Sequence, residues 1–161
     1  MRNIRTIKVN ATNSLLKWYK VKNPLIVIFN FIVIYFSRIV PSLSLKRFLL
    51  RLTGMKIEKN VSIGLMAMFD IFFPELITIK ENSIIGYNAT VLCHEFLIKE
   101  VRIGEVIIGR NALIGTNSTI LPGVSIGDNS TVSAMSLINK DIPANKIFGG
   151  VPAKEINKEV N

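Results

Sequence analysis

The chain has a single histidine, and its neighbours limit what it can do. His94 stands between Cys93 and Glu95 in the run VLCHEFLIKEVRIGE. Imidazole is the side chain best matched to taking a proton from a hydroxyl near neutral pH. Such a base needs a partner that fixes its tautomer. Asp70 is the leading candidate for that partner. Glu95 ranks second, because neighbours along an extended chain point apart, and a backbone carbonyl would serve equally. Plainer readings stand beside these. His94 could be a corner residue that tolerates left-handed backbone, and Asp70 a solvated loop carboxylate. The alternation that separates Glu95 from His94 also separates Cys93 from it, so Cys93 reads as a structural thiol. A catalytic zinc wants three protein ligands, and one His with one Cys does not supply them.

The elements that must position these residues are periodic. Aliphatic residues recur every six positions at Ile57 and Ile63, at Ile79, Ile85 and Val91, and from Ile108 through Ile114, Ile120, Ile126 and Val132 to Ile138. No helix of 3.6-residue period fits, and a six-residue period is the signature of a parallel β-helix. Asparagine recurs three positions after the aliphatic residue, at Asn60, Asn82, Asn88, Asn111, Asn117 and Asn129. It tolerates the left-handed backbone that a tight corner needs. Glycine often follows the aliphatic residue, as at Gly86 and Gly115, and a small residue stands four after it, as at Ala89 and Ser118. Both positions are expected to face a prism too narrow for large side chains.

Three hexapeptides per coil would stack Ile108 on Ile79, Ile114 on Ile85 and Ile120 on Val91. Ile57 then lies under Ile79, and the 69–73 segment under Val91. The beat breaks twice, with 16 positions from Ile63 to Ile79 and 17 from Val91 to Ile108. Residues 67–76 and 94–107 are therefore expected to bulge outward from neighbouring coils at one edge, meeting around His94. Excursions of this kind from a regular scaffold are usually functional. His94 falls where asparagine stands in other hexapeptides. The organisation predicted is residues 1–56, a helical N-terminal region; 57–145, the repeat; and 146–161, a C-terminal turn and tail.

Charge is divided unevenly along the 161 residues. Residues 1–56 carry 11 Lys or Arg and no acid, while the remainder carries 9 basic and 11 acidic groups. The net +9 thus resides in the N-terminal part, which argues against nucleic acid as the partner of the scaffold. The same part holds the apolar run PLIVIFNFIVIYFSRIVPSL, residues 24–43, with Lys17-Trp18-Tyr19-Lys20 before it and Lys46, Arg47 and Arg51 after it. The run is short for a span. Two readings follow: attachment to an anionic membrane surface through flanking cations, and a cap over the open end of the β-helix. The late start of the run and the lack of a small-residue cleavage site argue against a signal peptide. One cysteine excludes an intramolecular disulfide, as suits a reducing cytoplasm.

From His94 onward, the ordered set IIGRNALIGTNSTILPGVSIGDNSTVSAMSLINKDI and GGVPAKEI resembles the hexapeptide-repeat acyltransferases. The nearest branch is that of galactoside, maltose and cell-surface polysaccharide O-acetyltransferases, and the likeness covers residues 57–156. The resemblance implies an all-β fold, a left-handed parallel β-helix, assembled as a homotrimer with sites between subunits. It implies acetyl-CoA as acyl donor, no metal, and a carbohydrate acceptor. His94 matches the catalytic base, and Thr116 the residue whose backbone N–H faces the thioester oxygen. Ala134 matches the equivalent position one coil later. Asn139 and Lys154 match positions that approach the distal part of coenzyme A, and Gly149, Gly150 and Pro152 the turn closing its groove. Departures are Leu113, where the family often has tryptophan, and Met135, where it commonly has glycine. The basic, apolar N-terminal region differs from the polar one of the soluble sugar enzymes, which favours an acceptor held at the inner face of a membrane. The expected activity is therefore O-acetylation of a sugar hydroxyl of a lipid-linked or surface-polysaccharide precursor. N-acetylation of an amino-sugar, or a non-catalytic trimeric scaffold, are the alternatives.

Overall fold

The computed structural model describes residues 2–156. The chain opens with a strand, β1 (Arg5–Lys8), then a 3-10 turn (Ser14–Lys17) that runs into α1 (Trp18–Val21). Two longer helices follow, α2 (Pro24–Ile39) and α3 (Leu43–Leu52). Asn23 caps α2 by accepting from the Leu25 N–H, and Pro24 occupies its first turn, where a missing N–H costs nothing. Ser42 accepts from the Leu45 N–H and caps α3 in the same way.

Four three-strand coils then stack. They are β2 (Lys56–Ile57), β3 (Ser62–Ile63) and β4 (Met68–Phe69); β5 (Ile77–Ile79), β6 (Ile84–Ile85) and β7 (Thr90–Val91); after a hairpin of β8 (His94–Phe96) and β9 (Glu100–Ile103), β10 (Val106–Ile108), β11 (Leu113–Ile114) and β12 (Thr119–Ile120); then β13 (Ser125–Ile126), β14 (Thr131–Val132) and β15 (Leu137–Ile138). A closing hairpin of β16 (Ile147–Gly150) and β17 (Ala153–Glu155) completes the second wall. The three walls are the parallel sheets β2-β5-β10-β13, β3-β6-β11-β14-β16 and β4-β7-β12-β15. The stacking follows the predicted register: Ile57, Ile79 and Ile108 in one column, Ile85 and Ile114 in the next, and Phe69, Val91 and Ile120 in the third.

Every aliphatic residue of the beat is buried, and so are the small residues such as Ala89, Ser118 and Ser130. The buried serines donate to carbonyls, Ser83 to Gly109 and Ser130 to Pro143, so no hydroxyl is left unpaired in the prism. The six asparagine corners all have φ between 53° and 59°. Their amides also form ladders along the corners, Asn82 to Asn111 to Asn129 to Asn145, and Asn88 to Asn117. The glycine reading needs correction. A Cβ on Gly115 would lie 2.4 Å from the Ala134 nitrogen, so these glycines are required by the approach of the next coil and not by the interior.

Three further expectations change. Residues 67–76 do not bulge as a block: Ala67, Met68 and Phe69 stay with the coil, and Phe72, Phe73 and Pro74 turn into buried positions. Residues 1–56 are not wholly helical, because β1 adds a third strand to the β8–β9 hairpin, pairing Ile7 with Val101. Four of the N-terminal cations also have a different task. Backbone N–H groups of each coil donate toward the next, as Ser62 does to Ser83 and Ile84 to Ala112, so the first coil presents unpaired carbonyls at the base. The helices α2 and α3 cover that base with donors. Lys46 reaches the Ile63 and Gly64 carbonyls, Arg47 that of Val61, Arg51 those of Ile57 and Glu58, and Arg38 that of Met66. An array of acceptors selects Lys and Arg and excludes carboxylates. That is a structural reason for basic side chains without acids in this part of the chain.

Candidate active site

The departure of the chain after β7 builds the site. The prism's third corner passes directly into strand β8, so His94 does not take the left-handed conformation of the asparagines it resembles in sequence. Its backbone N–H and that of Cys93 instead turn toward Asp70, one coil below. Asp70 follows β4 directly beneath, because Phe69 pairs with Val91. Its side chain is the hub of the site. Oδ1 accepts from the N–H groups of Phe72 (2.8 Å) and Phe73 (2.9 Å). Oδ2 accepts from Cys93 (2.7 Å) and His94 (3.0 Å) and lies 2.5 Å from His94 Nδ1.

Asp70 is 1% exposed and is no solvated loop carboxylate. Burial works to raise its carboxyl, but the His94 ring and the N–H groups of Phe73 and Cys93 outweigh it and hold the group below the ordinary carboxylate range. With donors on every side the carboxylate can only accept. Nδ1 therefore carries the ring proton, and the lone pair of the neutral imidazole sits on Nε2. Among the described residues no group hydrogen-bonds Nε2. The ring is 15% exposed and is walled by Phe72 (centroids 4.6 Å apart), Phe96 (5.1 Å) and Phe73 (6.1 Å). These rings fix its orientation and keep water from the Asp70 side.

Glu95, the second candidate partner, pairs with Arg2 at 3.0 Å and ties the hairpin to the N-terminus. Cys93 is fully buried in the core, and burial, with Asp70 next, pushes its thiol up. It holds no thiolate for nucleophilic chemistry. The phenylalanine wall was not legible in the sequence; the FDIFFP run around Asp70 is the signal that marks it. Among the described residues there is no group of three or more His, Cys, Asp or Glu placed to hold a metal.

Thr116 and Ala134 occupy exposed turns on successive coils, between the second and third walls. Met135 donates to the Thr116 carbonyl, yet among the described residues nothing accepts from the N–H of Thr116 or Ala134. Two free donors at one corner suit a carbonyl oxygen. His94, however, leaves from the corner between the third and first walls. The third wall separates the two, so a single chain does not bring His94 against Thr116. Asn139 and Lys154 are exposed on the upper coils, and Lys154 pairs in register with Gly149 across β16–β17. Gly150 donates to Ser136 Oγ at 3.1 Å, which fixes the closing turn to the coil below.

Comparison with known proteins gives the chain its relatives. The family model described as the hexapeptide repeat of succinyl-transferase matches residues 105–138. The chain is 47% identical over 157 residues to YvoF of Bacillus subtilis (strain 168), provisionally named an acetyltransferase, covering 97% of this chain and 91% of that protein. Among solved structures, a galactoside acetyltransferase in complex with coenzyme A aligns with a TM-score of 0.64 at 26% identity, covering 83% of this chain and 80% of that one. The hexapeptide-repeat acetyltransferase VCA0836 of Vibrio cholerae, complexed with acetyl-CoA, aligns with a TM-score of 0.70 at 19% identity, covering 83% and 86%. The stacked coils are thus the left-handed β-helix of these proteins.

Proposed function

We propose, on the premise that this chain belongs to the hexapeptide-repeat acetyltransferases and takes its acyl group from acetyl-CoA, that it O-acetylates a sugar hydroxyl with His94 as general base. The observation that carries the reading is the Asp70–His94 pair. With Nδ1–H held by Asp70, Nε2 takes the hydroxyl proton while the acceptor oxygen bonds to the acetyl carbon. Acetyl-CoA supplies the activated acyl group. The N–H groups of Thr116 and Ala134 are the donors for the carbonyl oxygen as it gains charge. The proton returns from Nε2 to the departing sulfur, which leaves the histidine neutral for the next turnover. Asn139 and Lys154 are assigned to the distal part of coenzyme A, with the Lys154 ammonium meeting phosphate.

The third wall between His94 and Thr116 supports a homotrimer in which one chain offers the base and its neighbour the donor corner. A carbohydrate acceptor is supported by the galactoside acetyltransferase among the similar structures. We assign it to a lipid-linked or cell-surface polysaccharide precursor, acetylated at the cytoplasmic face of the membrane. The test is coenzyme A release against free sugars, nucleotide sugars and lipid-linked sugars, with the product's mass followed through mild alkali. Loss of 42 mass units, about one acetyl ester cleaved by that base, is expected if hydroxyl chemistry operates. An alkali-stable product would instead indicate N-acetylation. Undiminished turnover by His94→Ala would remove the histidine from the mechanism, and no turnover with any acceptor would leave a scaffold.

A further inference from the structure

The base of the prism has its polarity inside out. Arg38, Lys46, Arg47 and Arg51 turn toward the first coil and donate to its carbonyls. The outward side of the same helices is apolar. On α2, Leu25, Ile28, Phe29, Ile32, Phe36 and Ile39 are exposed, and Arg38 is that helix's one charged residue. On α3, Leu45, Phe48 and Leu52 continue the surface. A soluble helix keeps charges on its free face, and an apolar surface of this extent marks a site that something covers.

We infer that this base is a membrane-insertion face, seated in one lipid monolayer by apolar burial and not by attraction of its cations to anionic lipid. Among the described residues no single helix is long and apolar enough to cross a bilayer, and only the bent pair Ser14–Val21 and Pro24–Ile39 has the length and composition to do so together. We take the face to lie in the interface, as amphipathic helices do. Two observations identify lipid as the occupant. The outer face of α2 offers almost no hydrogen-bonding group, whereas protein interfaces carry about one hydrogen bond per 100–200 Å². Where the Ser14–Val21 segment meets α2 at 97°, Lys17 and Lys20 flank Trp18 and Tyr19. Neither lysine makes an ion pair within the described residues, and the amphipathic rings between them are of the kind that sits at the headgroup level.

Between α2 and the site lies a second apolar feature. An apolar groove of about 360 Å³ is lined by Leu15, Trp18, Val27, Ile71 and Phe72, with Val27 on the inner side of α2. Phe72 forms one wall of that groove and packs on the His94 ring. With one helix diameter and one coil spacing between them, the ring stands roughly 15 Å above the outer face. That height suits a sugar carried on a lipid of the same monolayer, with the first apolar units of its chain in the groove. This part rests on the acetyl-transfer reading; the insertion face does not.

The test is flotation of the full chain with vesicles of neutral phosphatidylcholine, and with vesicles containing phosphatidylglycerol, at low and high salt. Binding to neutral vesicles is expected, altered by less than about twofold by salt that screens surface charge. The Phe29→Glu/Phe36→Glu variant should bind at least about tenfold more weakly, with its mass in solution and its transfer to a water-soluble acceptor unchanged. Binding confined to anionic vesicles and abolished by salt would overturn the inference, as would no vesicle binding at all. A smaller oligomer in the variant would also overturn it, by assigning the face to a second copy. Transfer to soluble acceptors without vesicle binding sinks the membrane face and spares the acetyl-transfer reading. Vesicle binding without transfer to any hydroxyl does the reverse.

Discussion

Asp70 carries more of the site than its distance from the reacting atoms suggests. It orders two backbone segments through four N–H groups and sets the tautomer of His94 through a fifth contact. His94→Ala should lower kcat by roughly 10²–10⁴, the range for a general base, with acetyl-CoA affinity unchanged by calorimetry. Asp70→Asn should lower kcat comparably, because an amide nitrogen would confront backbone donors and leave Nδ1 unheld. Its stability cost should be about 1–3 kcal/mol, the penalty of an unpaired buried polar group. The pH dependence has a definite sign. A carboxyl held low in the folded state contributes stability above the ordinary carboxylate range and loses it as pH falls through the depressed folded value. The gap between wild type and Asp70→Asn in urea midpoint should therefore narrow on acidification. A gap that widens would mean Asp70 is held protonated. In the sequence, His94 stood out as the single histidine at a break in the beat. Asp70 was one candidate of three, since nothing local revealed that its carboxylate would be buried under the histidine.

Among the elements, corners and cap are where sequence and physics part company. Met135, like Met66, adopts a left-handed φ (57° and 62°) where the other corners use asparagine or glycine. A left-handed conformation costs an ordinary residue about 1–2 kcal/mol. Met135→Asn should then raise the melting temperature by about 2–4 °C per kcal/mol recovered, read by calorimetry, with the Met135 N–H bond to Thr116 kept. No gain would show that the side chain, 69% exposed, has contacts in the assembled protein that offset the strain. At the other end of the prism, burial pushes the Lys46 ammonium down, yet its two carbonyl partners need a donor. Lys46→Met should cost about 1–3 kcal/mol by leaving those carbonyls unpaired in a dry place, measured as a shift in denaturant midpoint. A neutral result would mean water reaches the base. The beat made the corners legible because each depends on residues adjacent in sequence. The direction of the carbonyls was not legible, because it depends on how coils stack.

At the scale of the whole molecule, the placing of His94 and Thr116 on different edges makes a specific demand. If the site is completed by a neighbouring chain, two inactive variants should rescue each other. His94→Ala lacks the base, and Ala134→Trp blocks the exposed donor corner without disturbing the core. Unfolded together and refolded, they should form mixed assemblies in which a wild-type His94 meets a wild-type corner, and coenzyme A release should return. Each variant refolded alone should stay inactive. Recovery would be absent if one chain held the entire site, which the intervening wall argues against.

The sequence by itself determined the coil register, the buried columns, the left-handed asparagine corners and the position of the histidine. Each follows from a period of six and from conformational preferences of single residues, which act over a few positions. Only the tertiary structure decided that Asp70 is the partner of His94, that phenylalanines wall the ring, and that Arg38, Lys46, Arg47 and Arg51 face inward. These depend on contacts between residues far apart in the chain, such as Asp70 with His94 and Lys46 with Ile63. Stacking creates both the buried carboxylate hub and the row of carbonyls at the base. Neither exists until the coils have formed.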